Sequence, residues 1–144
     1  IAEVEKIVEA LPELHFSIAA ITEMSSKLMS MEKYSNVSLY PGVKMKVLDE
    51  LFLKADVYLD INYESEIVSA VEKAFLHNQL IFAFKETLHN ASYVAAEHIY
   101  PADKANELIL DIKAAMGNTE LLEEYLEKQK AAAMLETAET YKGI

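Results

Sequence analysis

The sequence predicts an α/β fold, a three-layer sandwich of helices around a parallel sheet, and three observations lead there. Short apolar runs alternate with longer stretches whose apolar residues recur at helical spacing. The stretches between runs are about a dozen residues or more, the length of a crossover, so successive strands lie parallel and their connections are right-handed. With 144 residues, 52% of them hydrophobic, the chain can bury one substantial core, and three glycines and three prolines leave little for linkers.

The elements follow in order. Residues 1 to 11, IAEVEKIVEAL, place Ile1, Val4, Ile7, Val8 and Leu11 on one helical face, and Pro12 ends that helix. HFSIAAI (15 to 21) is a nearly continuous apolar run, the pattern of a strand covered on both faces. Thr22 is placed to cap a second helix, TEMSSKLMSMEKY, in which Met24, Met29 and Met31 read as packing residues. NVSLY (36 to 40) is a second strand, closed by Pro41 and Gly42. Val43 to Ala55 reads as a helix through Val47, Leu48, Leu51 and Phe52, and DVYLD (56 to 60) as a third strand. Ser65 to Asn78 is the next helix, with Ile67, Val68, Val71, Ala74 and Phe75 inward, and LIFAF (80 to 84) is a fourth strand. Thr119 to Thr140 is a long helical tract whose stripe, Leu122, Tyr125, Leu126, Gln129 and Ala133, fades toward its end. At about 1.5 Å per residue it reaches roughly 30 Å, so its distal part is expected to pack on something else. A sheet of this kind normally begins with a strand, and the helix at the start suggests that a first strand is missing from this fragment.

Composition excludes several functions. Without cysteine there is no disulfide, cysteine-based zinc site or thiol catalysis, which fits a reducing cytoplasm. A formal charge of −11 argues against a nucleic-acid surface. All thirteen basic residues are lysine, so the bidentate guanidinium clamp for phosphate is absent from this chain. His15, His77, His89 and His98 show no ligand spacing, and no metal is expected. No apolar run approaches the roughly 20 residues that span a bilayer.

HFSIAAITEMSSKLM, NVSLYPGV, DVYLDINYESEIVSAVEKAF and AFKETLHNASYVAAEHIY together resemble the C-terminal Rossmann-like half of a GT-B glycosyltransferase. The likeness is nearest to the stabilising, or chaperone, subunit of the accessory Sec system of Gram-positive cocci, and its most specific parts are TEMSSKL, LDIN with the following EI, and the TLHN loop. The resemblance implies a partner, a catalytic O-GlcNAc transferase, and a serine-rich-repeat adhesin as acceptor polypeptide. It implies a cytoplasmic protein, peripheral to the inner face of the cell membrane through its complex. It also implies two parts: residues 1–118 as the Rossmann-like domain and 119–144 as a helix crossing toward an N-terminal domain. No cofactor is expected beyond a UDP-sugar donor.

Three constellations are candidates for a site. Glu64 and Glu72 have seven residues between them, the E-x7-E spacing of retaining GT-B enzymes, where the resemblance assigns the first to the donor sugar and the second to the ribose. Positions eight apart on one helix share a side, so two such roles are geometrically open. Active members carry glycines after the first glutamate; here the stretch is SEIVSAV, and two such glutamates among 24 acidic residues are unremarkable. The second constellation is Asp60, Asn62, Ser65 and Glu66, where a strand end meets a helix start. Ser65 with the helix N-terminus can receive a diphosphate and Asn62 sugar hydroxyls, or Asn62 or Ser65 caps the helix with Glu66 in its first turn. The third is Thr87, His89 and Asn90, beside Glu86, after the fourth strand. His89 is suited to acid–base work by its near-neutral pKa, and equally to a hydrogen bond within the loop. Tyr40 and Val43 either wall a nucleobase pocket or are ordinary surface residues.

The reading adopted is a non-catalytic domain of a stabilising subunit. The alternative is the nucleotide-sugar-binding half of an active retaining transferase, with Glu64 and Glu72 as its catalytic pair. A receiver-like or flavodoxin-like module fits less well, because such a module carries an acidic cluster at the end of its first strand.

Overall fold

The first helix, α1 (Val4–Ala10), buries Ile7 and Val8 and exposes its glutamates, as its pattern demands. The computed structural model describes residues 3–62 and 69–142. Asn36 holds the end of α1: its Nδ2 lies 3.2 Å from the carbonyl oxygens of Val8, Leu11 and Leu14, at the helix end and the turn after it, where the helix ladder no longer supplies donors. Strands β1 (Phe16–Ala19) and β2 (Val37–Tyr40) pair in parallel, Phe16 with Val37 through Ala19 with Tyr40. β1 is less deeply covered than expected: Ile18 is buried and Phe16 and Ala19 are half-buried, on opposite sides, while Ser17 is exposed.

The connection between them also differs from the expected single helix. It consists of α2 (Ser26–Met29) and a 3-10 turn at Ser30–Lys33. Ser25, not Thr22, is the cap: its hydroxyl accepts from Leu28 N at 3.1 Å, while the residues before it form a loop. Of the methionines, Met31 is buried and Met29 exposed, so only part of that set fills core.

Gly42 turns the chain after β2 with φ +57°, a region that favours glycine. Helix α3 (Met45–Lys54) then buries Leu48 and Phe52, leaving Val47 outside, and leads into β3 (Val57–Asp60). Helix α4 (Ala70–Leu76) buries Ala70, Val71 and Ala74. Ser69, immediately before it, sits at φ 54°, and the expected start at Ser65 lies outside the described residues. Strand β4 (Leu80–Phe84) is buried at all five residues, the mark of a central parallel strand. It pairs in parallel with β3 and with β5 (Ile99–Tyr100). After β5 come α5 (Ala105–Met116) and α6 (Thr119–Lys142).

Two apolar layers sandwich these strands. On one side, Ile7 of α1, Leu11 just after it, and Leu108 and Ile112 of α5 pack with Leu80, Phe82 and Phe84, and Leu122, Tyr125 and Leu126 of α6 lie against them. On the other, Leu48 and Phe52 of α3 and Val71 and Ala74 of α4 pack with Ile81. Alternation along β4 thus serves both layers, each large buried side chain contributing about 1.5–3 kcal/mol. The hydrogen-bonded strand orders are β1-β2 and β3-β4-β5. Among the described residues no helix is long and apolar enough to cross a membrane.

A carboxylate held at the end of strand β3

Parallel strands place their carboxyl ends on one edge, which is where open α/β sheets hold ligands. Asp60 ends β3 there with 2% exposure. One carboxylate oxygen accepts from the backbone N of His89 at 2.7 Å, and the other lies 2.6 Å from His89 Nδ1. The Thr87 hydroxyl donates to the Asp60 carbonyl oxygen at 2.9 Å and is itself buried. Three bonds therefore close the loop after β4 onto the end of β3. With Nδ1 engaged by the carboxylate, the imidazole is oriented and its tautomer selected, while 18% of the side chain stays accessible.

Asn90 acts as a local cap, its Oδ1 accepting from Ser92 N at 3.2 Å at the start of a 3-10 turn. Glu86 reaches across to the start of the next connection, accepting from Ala102 N at 2.7 Å. Asn62 is partly buried and does not cap α4, which begins eight residues further on at Ala70. Tyr40 is partly buried rather than exposed. Val43, like Leu88 and Tyr93, packs against the apolar cluster of the α3–α4 layer, and its backbone N donates to Ala20 O at 2.8 Å. The structure so joins Asp60, Thr87 and His89 directly and brings Val43 into the apolar layer that holds their loop.

Glu72 is exposed on α4, and Glu64, Ser65 and Glu66 lie outside the described residues. The pairing of Glu64 with Glu72 on one helix falls outside the described residues at its Glu64 end, and Ser69, just before α4, has a left-handed backbone. Among the described residues no cluster of His, Asp and Glu is arranged to hold a metal.

Three buried polar side chains, Gln79, His98 and Gln129, were not singled out as a site from sequence. Gln129 of α6 is 1% exposed, accepts from Ile81 N at 2.9 Å and donates to Gln79 O at 2.9 Å. Gln79 in turn donates to Phe52 O through its side-chain amide. His98 is 1% exposed, packed between Phe82 at 4.7 Å and Tyr125 at 4.5 Å between ring centres, and its Nδ1 has no hydrogen-bond partner. Burial holds its pKa below the ordinary value, against the opposing influence of Glu97 and Asp111 and with a small push from Lys128. Nearby, the Tyr100 hydroxyl donates to Asp111, and burial together with that bond pushes its ionisation up. A lone glutamine inside an apolar stripe was the available signal for the Gln129 bracket.

Comparison with known proteins gives a consistent set of relatives. The family model described as "GftB/GlyA-F C-terminal domain" matches residues 1–129. The UDP-N-acetylglucosamine–peptide N-acetylglucosaminyltransferase stabilizing protein GtfB of Streptococcus pneumoniae serotype 4 is 43% identical over 129 residues, 90% of this chain and 29% of that protein. A crystal structure of a GtfA/B complex bound to UDP and GlcNAc superposes with TM-score 0.85 at 40% identity, covering 92% of this chain and 30% of that one. The glycosyltransferase GlyE of S. pneumoniae TIGR4 gives TM-score 0.73 at 29% identity, with 79% and 29% covered. The chain thus spans less than a third of the length of these relatives.

Proposed function

The chain belongs to the GftB/GlyA-F C-terminal domain family, and from that premise we propose that it is a domain of a subunit that stabilises a partner GlcNAc transferase without transferring sugar itself. The observation that carries this reading is the 43% identity, across 90% of the chain, to a relative named as such a stabilising protein. The site chemistry supports it. Asp60 stands where a donor would be met, yet both its oxygens are taken by His89, and Glu72 is an exposed residue of α4.

In this reading residues 1–118 form the Rossmann-like domain and the distal part of α6 extends toward an N-terminal domain. The acceptor is a serine-rich-repeat adhesin of the accessory Sec system. The protein is cytoplasmic and reaches the membrane's inner face through its complex. Any retained contact with a UDP-sugar lies along the strand-end edge, at Asn62, Ser65, Glu66, His89, Asn90, Tyr40 and Val43.

The test uses the full-length protein with and without its partner transferase, a serine-rich peptide and UDP-GlcNAc. The partner is expected to gain thermal stability and turnover from the complex, and the full-length protein alone to show no transfer. A second reading, an active retaining transferase, is favoured by the likeness to GlyE, which carries the name glycosyltransferase. Transfer by the full-length protein alone, lost in Glu64→Gln and Glu72→Gln variants that still fold, would replace the first reading with the second.

A further inference from the structure

Helix α6 is held to the sheet differently along its length. Its start is fixed: Asn118 Oδ1 accepts from Glu120 N at 3.1 Å and from Leu121 N at 3.2 Å, which satisfies two amides of the first turn. Leu122 and Leu126 then lie half-buried against the apolar cluster of Leu80 and Leu108. Further along, polar groups carry much of the contact. Gln129 holds Gln79 O and Ile81 N, and the Tyr125 ring lies at 73° to that of His98. The helix also lies against the 3-10 turn Ala91–Tyr93.

His98 is the one titratable ring inside this contact. It ends the 3-10 turn Ala96–His98, between Phe82 of β4 and Tyr125 of α6, and its Nδ1 has no hydrogen-bond partner among the described residues. An imidazolium carries an N–H at both ring nitrogens. Protonating His98 in place would therefore bury a charge and leave its Nδ1–H without an acceptor, a costly arrangement in an apolar setting. The surrounding groups do little to offset that cost. Glu97 of the same turn is exposed, and Asp111 of α5 is engaged by the hydroxyl of Tyr100 on β5. On α6, Lys128 is itself cationic and pairs with Glu124 at 3.6 Å, while Tyr125 presents its ring. Phe82, on the β4 side, is apolar. Burial outweighs the two carboxylates and keeps the docked ring neutral.

We propose that α6 is a proton-released latch: from Tyr125 onward it undocks from β4 in a local opening that leaves the sheet intact, and protonation of His98 favours the opened form. The Asn118 cap stays in place and acts as the fixed end. Linkage gives the sign. In the opened form His98 is hydrated and titrates near its ordinary 6.5, whereas docked it titrates lower. Above pH 6.5 the ring is neutral in both forms and the latch is closed. Below it the opened form takes up the proton, and its share grows by up to about tenfold per pH unit until the docked ring also titrates.

Neighbouring amides separate this opening from loss of the sheet. Ile81 N donates to Gln129 of α6. Leu80 N donates to Asp56 O, and the parallel ladder carries that phase on to Phe82, whose N faces β3. Ile81 thus reports the docking of α6, and Phe82 the pairing of the strands.

Residue-resolved amide exchange on the full-length protein, corrected for intrinsic rates, tests the latch. At pH 7.5 Ile81 is expected to exchange at least about tenfold faster than Phe82, and between pH 7.5 and 5.5 its protection is expected to fall about tenfold. One common rate for the two amides, or an Ile81 protection that does not change with pH, overturns the proposal. His98→Phe keeps an aromatic ring in place; there the fall is expected to vanish while the gap between Ile81 and Phe82 remains, and a fall that persists overturns the proposal. The parent alone supplies an arm that needs no variant: its His98 ring, followed by NMR, is expected to titrate below pH 6.5, and a midpoint at or above 6.5 overturns the latch.

Discussion

Asp60 is a buried carboxylate whose two oxygens are both satisfied by one residue, His89. Removing it leaves the His89 N–H groups without an acceptor at a largely enclosed position. Asp60→Ala is expected to lower stability by about 2–3 kcal/mol in urea denaturation, and Asp60→Asn to recover part of that. His98 makes a different prediction. Its folded pKa lies below its ordinary value of 6.5, so below that pH the unfolded chain binds more protons than the folded one. The stability associated with neutral His98 is present above about pH 6.5 and is lost as pH falls toward the depressed folded value. His98→Phe keeps the aromatic contacts to Phe82 and Tyr125 and removes the titration. Thermal unfolding between pH 7.5 and 5.5 should therefore decline less steeply in His98→Phe than in the parent. An equal slope in the two proteins contradicts this account. Gly42→Ala is a third case: nothing crowds the added methyl, so a loss of about 1–2 kcal/mol would report backbone strain alone.

At the scale of elements, α6 is fastened by a side chain imitating a strand. β5 pairs only with Ala83 and Phe84, which leaves the first part of β4 without a strand on that side. Gln129 supplies the missing donor and acceptor, to Gln79 O and Ile81 N. Gln129→Ala should cost about 2–4 kcal/mol by orphaning both groups, and Gln129→Leu should not restore it, since shape without hydrogen bonding leaves the same buried polar atoms. Faster exchange of the Ile81 amide would localise the loss. Elements were legible in the sequence where periodicity was long. β4 runs over the residues its apolar run predicts, and α3 and α6 lie within a few residues of expectation. β5, at two residues, is too short to leave a pattern, although Leu108, Ile109, Ile112 and Ala115 give α5 a clear helical stripe. Helix α2 is short because Ser25 caps it late, a decision of local backbone that apolar spacing does not record.

For the whole molecule, a partner that binds only the folded form stabilises it by mass action. If the stabilising role is right, melting of either full-length subunit should rise with the concentration of the other, approaching about 2.7 kcal/mol at a hundredfold excess over Kd. Melting curves that stay independent of the other subunit would count against the complex.

The order of helices and strands from α1 to β4, their parallel pairing and the placing of Asp60, Thr87 and His89 near one sheet edge all follow from the sequence by itself. Those properties depend on apolar periodicity and connection length, which are local. The Asp60–His89 bond spans 29 positions and the Gln129 contacts 48 and 50. The grouping of the strands among the described residues as β1-β2 and β3-β4-β5 likewise involves segments far apart in the chain. Only the tertiary structure decided these, because a hydrogen bond between distant residues depends on how whole layers pack, and no local pattern encodes that distance.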